Sequence, residues 1–192
     1  MAELSTLPEY MLRNAREMGN QPAMREKYLG IWKTHTWSQY AQEVRDFALG
    51  IASLDFKRGD KLGIIGNNLP KLYWAQVAAQ SIGGTAVPVY QDAIAKELAY
   101  VLRHSEAKVI VAEDQEQVDK ILSIKDELPG LEYLIYCDPR GMTNYDNAVL
   151  KSYDEVSQAG QTSAASNNSY FDDEVDKTTG ADIALMCYTS GT

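Results

Sequence analysis

The residues with the clearest chemical potential are a run of hydroxyl side chains and one glycine, namely Thr189, Ser190, Gly191 and Thr192. They follow an apolar run that predicts a strand over residues 183–188. Hydroxyl groups donate hydrogen bonds to phosphate oxygens, and glycine lets backbone N–H groups approach an anion closely. This turn is therefore a candidate phosphate-binding loop, although it lacks the lysine of the G-x-x-x-x-G-K-[ST] loop. A polar chain end after a strand is the alternative interpretation.

Other residue groups could also do chemistry, but their spacing fits structural roles better. Gly63 and Gly66 lack the third glycine of a dinucleotide-binding turn, so their segment is interpreted as a strand-to-helix turn. Neither His35 nor His104 has a neighbour at metal-ligand spacing. The acidic run 172–174 is interpreted as a solvated helix start in preference to a magnesium site. We therefore assign no catalytic residue and no metal ligand to this chain.

Composition and charge argue against several classes of function. The chain has 192 residues and a net charge of −9, which argues against a nucleic acid partner. The most apolar window, residues 72–90, contains Gln76 and Gln80 and is too polar for a membrane span. Cys137 and Cys187 are expected to be buried without forming a disulfide framework, which favours a cytoplasmic location. The three tryptophans are expected to pack in the core, namely Trp32, Trp37 and Trp74.

Apolar periodicity predicts an α/β fold. A first helix is expected over residues 5–18, and two short strands or a hairpin over residues 28–37. Thr36 and Gln39 form a capping-box pattern that predicts the start of a second helix. Strands and helices then alternate, which indicates a mainly parallel sheet with helices on both faces. The predicted strands are 62–65, 85–89, 108–112 and 133–136, and the predicted helices are 70–82, 93–103 and one that begins after Asp114.

The alternation stops in the last quarter of the chain, where residues 154–181 are predicted to be rich in loops. Residues 158–169 contain mostly Ser, Ala, Asn, Gln and Gly, a composition typical of a loop. A short acidic helix is expected over residues 170–177. The strand predicted over residues 183–188 then leads into the candidate phosphate loop.

Several segments also match family motifs in the right order and at the right spacing. These segments are 36–40 (Thr-Trp-Ser-Gln-Tyr), 59–64 (Gly-Asp-Lys-Leu-Gly-Ile), 68–74 (Asn-Leu-Pro-Lys-Leu-Tyr-Trp), 84–90 (Gly-Thr-Ala-Val-Pro-Val-Tyr) and 188–192 (Tyr-Thr-Ser-Gly-Thr). Together they resemble the N-terminal part of the AMP-forming acyl-CoA synthetases, within the adenylate-forming ligase superfamily. Three further segments resemble the long-chain fatty acyl branch, namely 99–102, 105–109 and 113–117.

This resemblance implies an activity. Members of the family activate a fatty acid with Mg²⁺ and ATP to give acyl-AMP, and CoA then displaces AMP. The implied roles of Thr189, Ser190 and Thr192 are to offer hydroxyl and N–H groups to the ATP phosphates, with Gly191 permitting close approach. Lys71 stands where the family often has Glu, and residues 91–93 (Gln-Asp-Ala) depart from the Pro-Thr-Ser of long-chain members.

The resemblance also implies a domain assignment. Residues 1–192 correspond to the N-terminal part of an AMP-binding domain that ends inside its phosphate loop. We expect the 192-residue chain to be catalytically incomplete, its binding of ATP, Mg²⁺ and CoA to be doubtful, and the isolated chain to associate. Implied partners of the longer protein are small-molecule substrates, with peripheral membrane association and homo-oligomer formation left open. An adenylating enzyme for another carboxylic acid and a non-catalytic binding or assembly module are the alternatives.

Overall fold

A five-stranded parallel sheet organises the fold in a computed structural model that describes residues 5–145, 148–166 and 169–189. A separate antiparallel hairpin precedes it, made of β1 (Pro22–Tyr28) and β2 (Ile31–Thr36). The order of the parallel strands is β4-β3-β5-β6-β7, so the chain builds outward in both directions from β3. Those strands are β3 (Lys61–Ile65), β4 (Thr85–Val89), β5 (Ala107–Ala112), β6 (Tyr133–Tyr136) and β7 (Leu150–Ser152).

Helices cover both faces of this sheet, as predicted. The helices are α1 (Leu7–Glu17), α2 (Trp37–Ser53), α3 (Pro70–Ser81), α4 (Ala95–His104), α5 (Gln115–Ser123), α6 (Tyr153–Ser166) and α7 (Tyr170–Asp176), with 3₁₀ turns at Lys125–Glu127 and Met142–Asn144. One core lies under α1, α2, α3, α6 and α7, and a second lies under α4 and α5. Alternate residues of β5 enter opposite cores, since Val109 and Val111 pack in the first and Ile110 in the second. In the part of the chain that is described, no helix is long and apolar enough to cross a membrane.

The predicted helix starts are confirmed by their caps. The Thr36 hydroxyl accepts a hydrogen bond from the backbone N–H of Gln39 at 3.3 Å, and the Gln39 side chain accepts one from the N–H of Thr36 at 2.9 Å. Asp114 caps α5 by accepting from the N–H of Gln117 at 3.2 Å. These bonds satisfy N–H groups that have no partner inside a helix, so the short polar motifs define where α2 and α5 begin.

The loop predicted over residues 158–169 is wrong for most of its length. Residues 153–166 form α6, which lies against α2. A methyl group at Gly160 would overlap the carbonyl oxygen of Asp46, and one at Gly50 would overlap that of Val156. Small residues in this segment therefore allow two helix backbones to approach closely. The acidic helix expected next is confirmed as α7.

The strand predicted over residues 183–188 is also largely wrong. Only Leu185 forms a bridge, parallel to β4 at Ala86. Ile183 and Leu185 remain exposed, because within the described residues no further element packs outside this edge of the sheet. An apolar segment with one partner strand and no outer cover lacks most of the burial that stabilises a strand.

The predicted hairpin is confirmed, but its turn and first strand lie earlier in the chain than expected. Its two-residue turn is formed by Leu29 and Gly30, and its first strand starts at Pro22. Trp74 is buried in the first core as expected, whereas Trp37 is only half-buried and its ring meets Tyr40. Trp32 is not buried, because 65% of its surface is exposed. The prediction of a core position for Trp32 is therefore wrong.

Candidate functional site

The strand order reverses between β3 and β5, because the chain passes from β3 to β4 on one side and then to β5 on the other. Ligands of open α/β sheets bind at such a point. Here the carboxylate of Glu113 accepts hydrogen bonds from the backbone N–H of Asn67 at 2.5 Å and from its amide nitrogen at 3.0 Å. Gly66 adopts a φ of +151°, and a side chain there would overlap Glu113. The Glu113 carboxylate thus occupies the Asn67 N–H group that a bound anion would need. This contact agrees with a structural role for the turn after β3.

The candidate phosphate segment approaches the sheet from the other side of β4. Of its four predicted residues, Thr189 is described and is exposed. Ser190, Gly191 and Thr192 lie outside the described residues. Their proposed contacts with phosphate therefore stay a prediction.

The residues just before this segment are anchored to α3 and β4 by four hydrogen bonds, one of which runs from the backbone N–H of Ala86 to the carbonyl oxygen of Ala184 at 3.3 Å. The N–H of Met186 donates to the carbonyl oxygen of Ala86 at 2.9 Å. The Thr85 hydroxyl donates to the carbonyl oxygen of Ile183, and the amide of Gln80 donates to that of Ala184, both at 2.9 Å. Sequence reasoning missed these anchors. A glutamine and a threonine buried among apolar residues of α3 and β4 are the signal that could have revealed them.

Beyond Met186 the chain leaves β4 and turns toward the end of α4. The Tyr188 hydroxyl lies 2.7 Å from Nδ1 of His104, and the two rings meet edge to face at 5.7 Å. His104 lies shortly before β5, whose first residue Ala107 pairs with Lys61, the first residue of β3. Tyr188 is therefore held near the amino edge of the sheet, and not at the carboxyl edge where the strand order reverses. His104, which has no neighbour at metal-ligand spacing in the sequence, is the partner of this tyrosine.

The remaining candidate residues have structural partners. Nε2 of His35 lies 3.1 Å from the Glu26 carboxylate, and its ring meets Trp74 edge to face. In the acidic run, Asp172 pairs with Arg45 at 2.6 Å and Glu174 with Arg58 at 3.2 Å, among other contacts. Within residues 5–145, 148–166 and 169–189, no three His, Cys, Asp or Glu side chains are arranged to hold a metal ion.

Lys71, which departs from the family pattern, connects α3 to α6. Its ammonium group donates to the Asp154 carboxylate at 2.7 Å and to the carbonyl oxygen of Cys137 at 3.4 Å. It also lies 5.0 Å from the centre of the Tyr153 ring. A glutamate at this position would face a carboxylate and a carbonyl, so the lysine matches its local surroundings.

The two cysteines differ in environment, and the expectation that both are buried is wrong for Cys187. Cys187 is exposed, whereas Cys137 is partly exposed as a residue with its thiol inside the protein. Burial, opposed only in part by the nearby Lys71 cation, raises the pKa of the Cys137 thiol to about 12. Neither cysteine forms a disulfide.

A parallel sheet wound with helices on both faces, with residues 183–186 anchored beside the edge strand β4, defines a doubly wound α/β protein. The family model described as AMP-binding enzyme matches residues 11–192. The chain therefore belongs to the AMP-binding enzyme family.

Two curated relatives that match nearly the whole chain carry the same name. The long-chain-fatty-acid–CoA ligase ACSBG2 of Xenopus laevis is 29% identical over 187 residues, which cover 97% of this chain and 25% of the relative. The protein of the same name from Homo sapiens is 27% identical, covering 97% of this chain and 27% of the relative. The chain thus spans about a quarter of the length of these curated relatives.

Solved structures share the fold. The anthranilate CoA ligase AuaEII, in complex with anthranoyl-AMP, superposes with a TM-score of 0.68 at 19% identity, covering 79% of this chain and 27% of that protein. The acetoacetyl-CoA synthetase of Streptomyces lividans gives a TM-score of 0.67 at 19% identity, covering 78% and 24%. These similarities identify the architecture as that of adenylate-forming ligases, which is the predicted fold class.

Proposed function

We propose that the protein to which this chain belongs activates a long-chain fatty acid with ATP, forming acyl-AMP and then acyl-CoA. The observation that carries the proposal is the Tyr-Thr-Ser-Gly-Thr segment at 188–192, which follows residues anchored beside β4 in a chain of the AMP-binding family. The names of relatives that are 27–29% identical over 97% of the chain support the long-chain fatty acid as substrate.

The donor groups of the segment suit a nucleotide phosphate. Thr189, Ser190 and Thr192 carry hydroxyl groups, and Gly191 leaves room for an anion beside the backbone N–H groups. The exposure of Thr189 leaves its hydroxyl accessible. When bound, ATP would supply the adenylyl group that makes the carboxylate reactive, with pyrophosphate as the leaving group, and these donors would hold its β- and γ-phosphates against their negative charge. We assign no ligand of Mg²⁺ or CoA and no catalytic residue to this chain.

The cytoplasm is the compartment that we propose for this protein. Two cysteines that form no disulfide support this proposal, because oxidising compartments favour disulfides. Cell fractionation with an antibody against the chain would test it, and recovery in a secreted fraction would contradict it.

The test is pyrophosphate exchange by the complete protein that contains this chain. We expect ATP–pyrophosphate exchange with palmitate, and much less with benzoate or amino acids. Ser190→Ala should lower the exchange rate by about 100- to 1,000-fold, the range found when one donor to a developing charge is removed. Thr162→Ala, which changes an exposed hydroxyl on α6, is the matched control and should retain the rate.

Each alternative predicts a distinct result in the same assay. Exchange with benzoate or an amino acid, but not with palmitate, would assign another carboxylic acid as substrate. No exchange with any acid, despite a stably folded protein, would favour a binding or assembly module. Equal rates in the Ser190→Ala and Thr162→Ala variants would remove the proposed role of the phosphate segment.

A further inference from the structure

The tip of the β1–β2 hairpin exposes four large apolar side chains. Their exposed fractions are 47% for Tyr28, 81% for Leu29, 69% for Ile31 and 65% for Trp32. The other end of the hairpin is held by the protein, since Met24 packs against the first core and His35 contacts Trp74. The hairpin is thus anchored at its base and carries an uncovered apolar tip.

The turn at this tip contains a leucine at a position whose left-handed backbone conformation disfavours leucine. Leu29 has a φ of +48° and Gly30 a φ of +82°, the two positive angles of a type I′ turn. The first position of such a turn favours Asn, Asp or Gly, and left-handed backbone is strained for other side chains. Neither backbone preference nor burial within the described chain explains Leu29. An apolar side chain that is both exposed and in an unfavourable backbone conformation indicates a contact with something outside the chain.

The charges around the tip are of one sign. Lys27 and Lys33 flank the apolar residues, and the Lys33 ammonium lies 4.4 Å from the centre of the Tyr28 ring. Residues 22–36 contain three basic side chains and one acidic one, Glu26, which faces His35 at 3.1 Å. The hairpin therefore has a net charge of +2 in a chain whose net charge is −9.

We propose that residues 28–32 insert into the interfacial layer of an anionic phospholipid membrane. Tryptophan and tyrosine favour the headgroup region, where the ring is apolar and the polar edge remains hydrated. Lysines beside an apolar tip place their ammonium groups among lipid phosphates. A tip of four side chains is small beside the roughly 1,200–2,000 Å² that a stable protein interface buries, which favours a lipid surface over a second copy or a protein partner. This proposal does not depend on the proposed ligase activity.

The experiment is co-sedimentation of the 192-residue chain with vesicles. One set contains phosphatidylcholine with about 30% phosphatidylserine, and the other phosphatidylcholine alone. We expect binding to the phosphatidylserine vesicles that weakens at least about fivefold between 0.1 M and 1 M salt, where the Debye length falls from about 10 to 3 Å. Tryptophan fluorescence should be quenched by brominated lipid, and Trp32→Phe should remove most of that quenching while binding persists.

The decisive variant is Leu29→Asn combined with Trp32→Thr. Asn suits the left-handed first position of the turn, so this protein should melt no lower than the parent while its vesicle binding falls at least about tenfold. Ile94→Asn is the matched control, because it replaces another exposed aliphatic residue outside the hairpin and should leave binding unchanged.

Three results would overturn the proposal. The parent chain could fail to sediment with either vesicle set, or the double variant could bind as well as the parent. The third is a dimer, detected by light scattering, that the double variant abolishes while vesicle binding is absent. That result would assign the apolar tip to contact between copies of the chain.

Discussion

Single residues show how environment decides chemistry in this protein. Cys137 and Cys187 are chemically identical, yet one thiol is surrounded by protein and the other faces solvent. Spacing in the sequence does not reveal this difference, because it depends on which elements cover each residue. The difference is measurable through reactivity, since the thiolate is the reactive form.

We expect one fast-reacting thiol in the folded chain. At pH 8, a pKa of about 12 instead of 9 lowers the thiolate fraction of Cys137 by about 1,000-fold. Titration with Ellman's reagent should therefore show one rapid equivalent in the native protein and two after denaturation. Cys187→Ser should remove the rapid equivalent, and Cys137→Ser should retain it. Two equally fast thiols in the native chain would contradict this assignment.

At the scale of elements, the contact between α2 and α6 stabilises one face of the molecule. The rings of Phe47 and Tyr153 stack with centres 4.2 Å apart. The buried carboxylate of Asp46 accepts hydrogen bonds from Gln42 at 2.7 Å and from Gln161 at 2.8 Å. The hydrogen bonds of the buried Asp46 carboxylate and the close approach of the two helix backbones therefore both lie in the α2–α6 interface.

We expect Gly160→Ala to destabilise the fold by about 1–3 kcal/mol, the usual cost of overpacking. The added methyl group overlaps the Asp46 carbonyl oxygen, although alanine otherwise favours a helix. Gly130→Ala is the control, because no atom lies within 4 Å of the position of its new methyl group. Urea denaturation should show a lower midpoint for the first variant and a change within about 0.5 kcal/mol for the second. Equal midpoints for the two variants would show that α6 can move away from α2 at little cost.

The elements that sequence reasoning predicted and those it missed differ in a physical way. The βα alternation from β3 to β6 was predictable because each element carries its own apolar period and stop signals. Helix α6 was missed because its small residues serve contact with α2, which only the folded chain reveals. A start signal was present, since the Ser152 hydroxyl accepts from the N–H of Glu155 and the Glu155 carboxylate accepts from the N–H of Ser152.

The candidate site also has features that the sequence predicts and features that it does not. The residue types at 189–192 predict phosphate binding from local chemistry alone. The position of residues 183–188, which lead to them, depends on Gln80 and Thr85, about 100 residues earlier, and on the contact of Tyr188 with His104. Distant contacts of this kind have no local pattern, so the route of the segment after Met186 could not be predicted.

At the scale of the whole molecule, stability is expected to fall from the centre of the sheet to its edge. Strand β3 is paired on both sides, by β4 and β5, whereas residues 183–186 touch β4 through one bridge. Amide groups in the centre exchange with solvent only when much of the protein opens, and those at the edge exchange through local opening.

Gln80→Ala should loosen the edge without disturbing the centre. Loss of its bond to the Ala184 carbonyl removes one of the four hydrogen bonds that anchor residues 183–186, so hydrogen exchange at the Met186 amide should accelerate by about fivefold, in line with a bond worth about 1 kcal/mol. Exchange in β3 and β5 should be unchanged. Ser123→Ala, which alters a surface hydroxyl on α5, serves as control. Faster exchange throughout β3 in the Gln80 variant would show that residues 183–186 belong to the central cooperative unit.

The contact between α2 and α6 also determines when one side of α2 is covered during protein synthesis. Helix α2 is synthesised before α6. Asp46 and Phe47 therefore lack their contacts with α6 until residues 153–166 have been made. At about 5–20 residues per second, the roughly 100 intervening residues take about 5–20 s to make. During that interval β3, β4 and β5 can pair with one another, while an apolar ring and a carboxylate that later share one interface remain in water. We therefore expect the nascent chain to form its central sheet before the helix layer over α2 is complete.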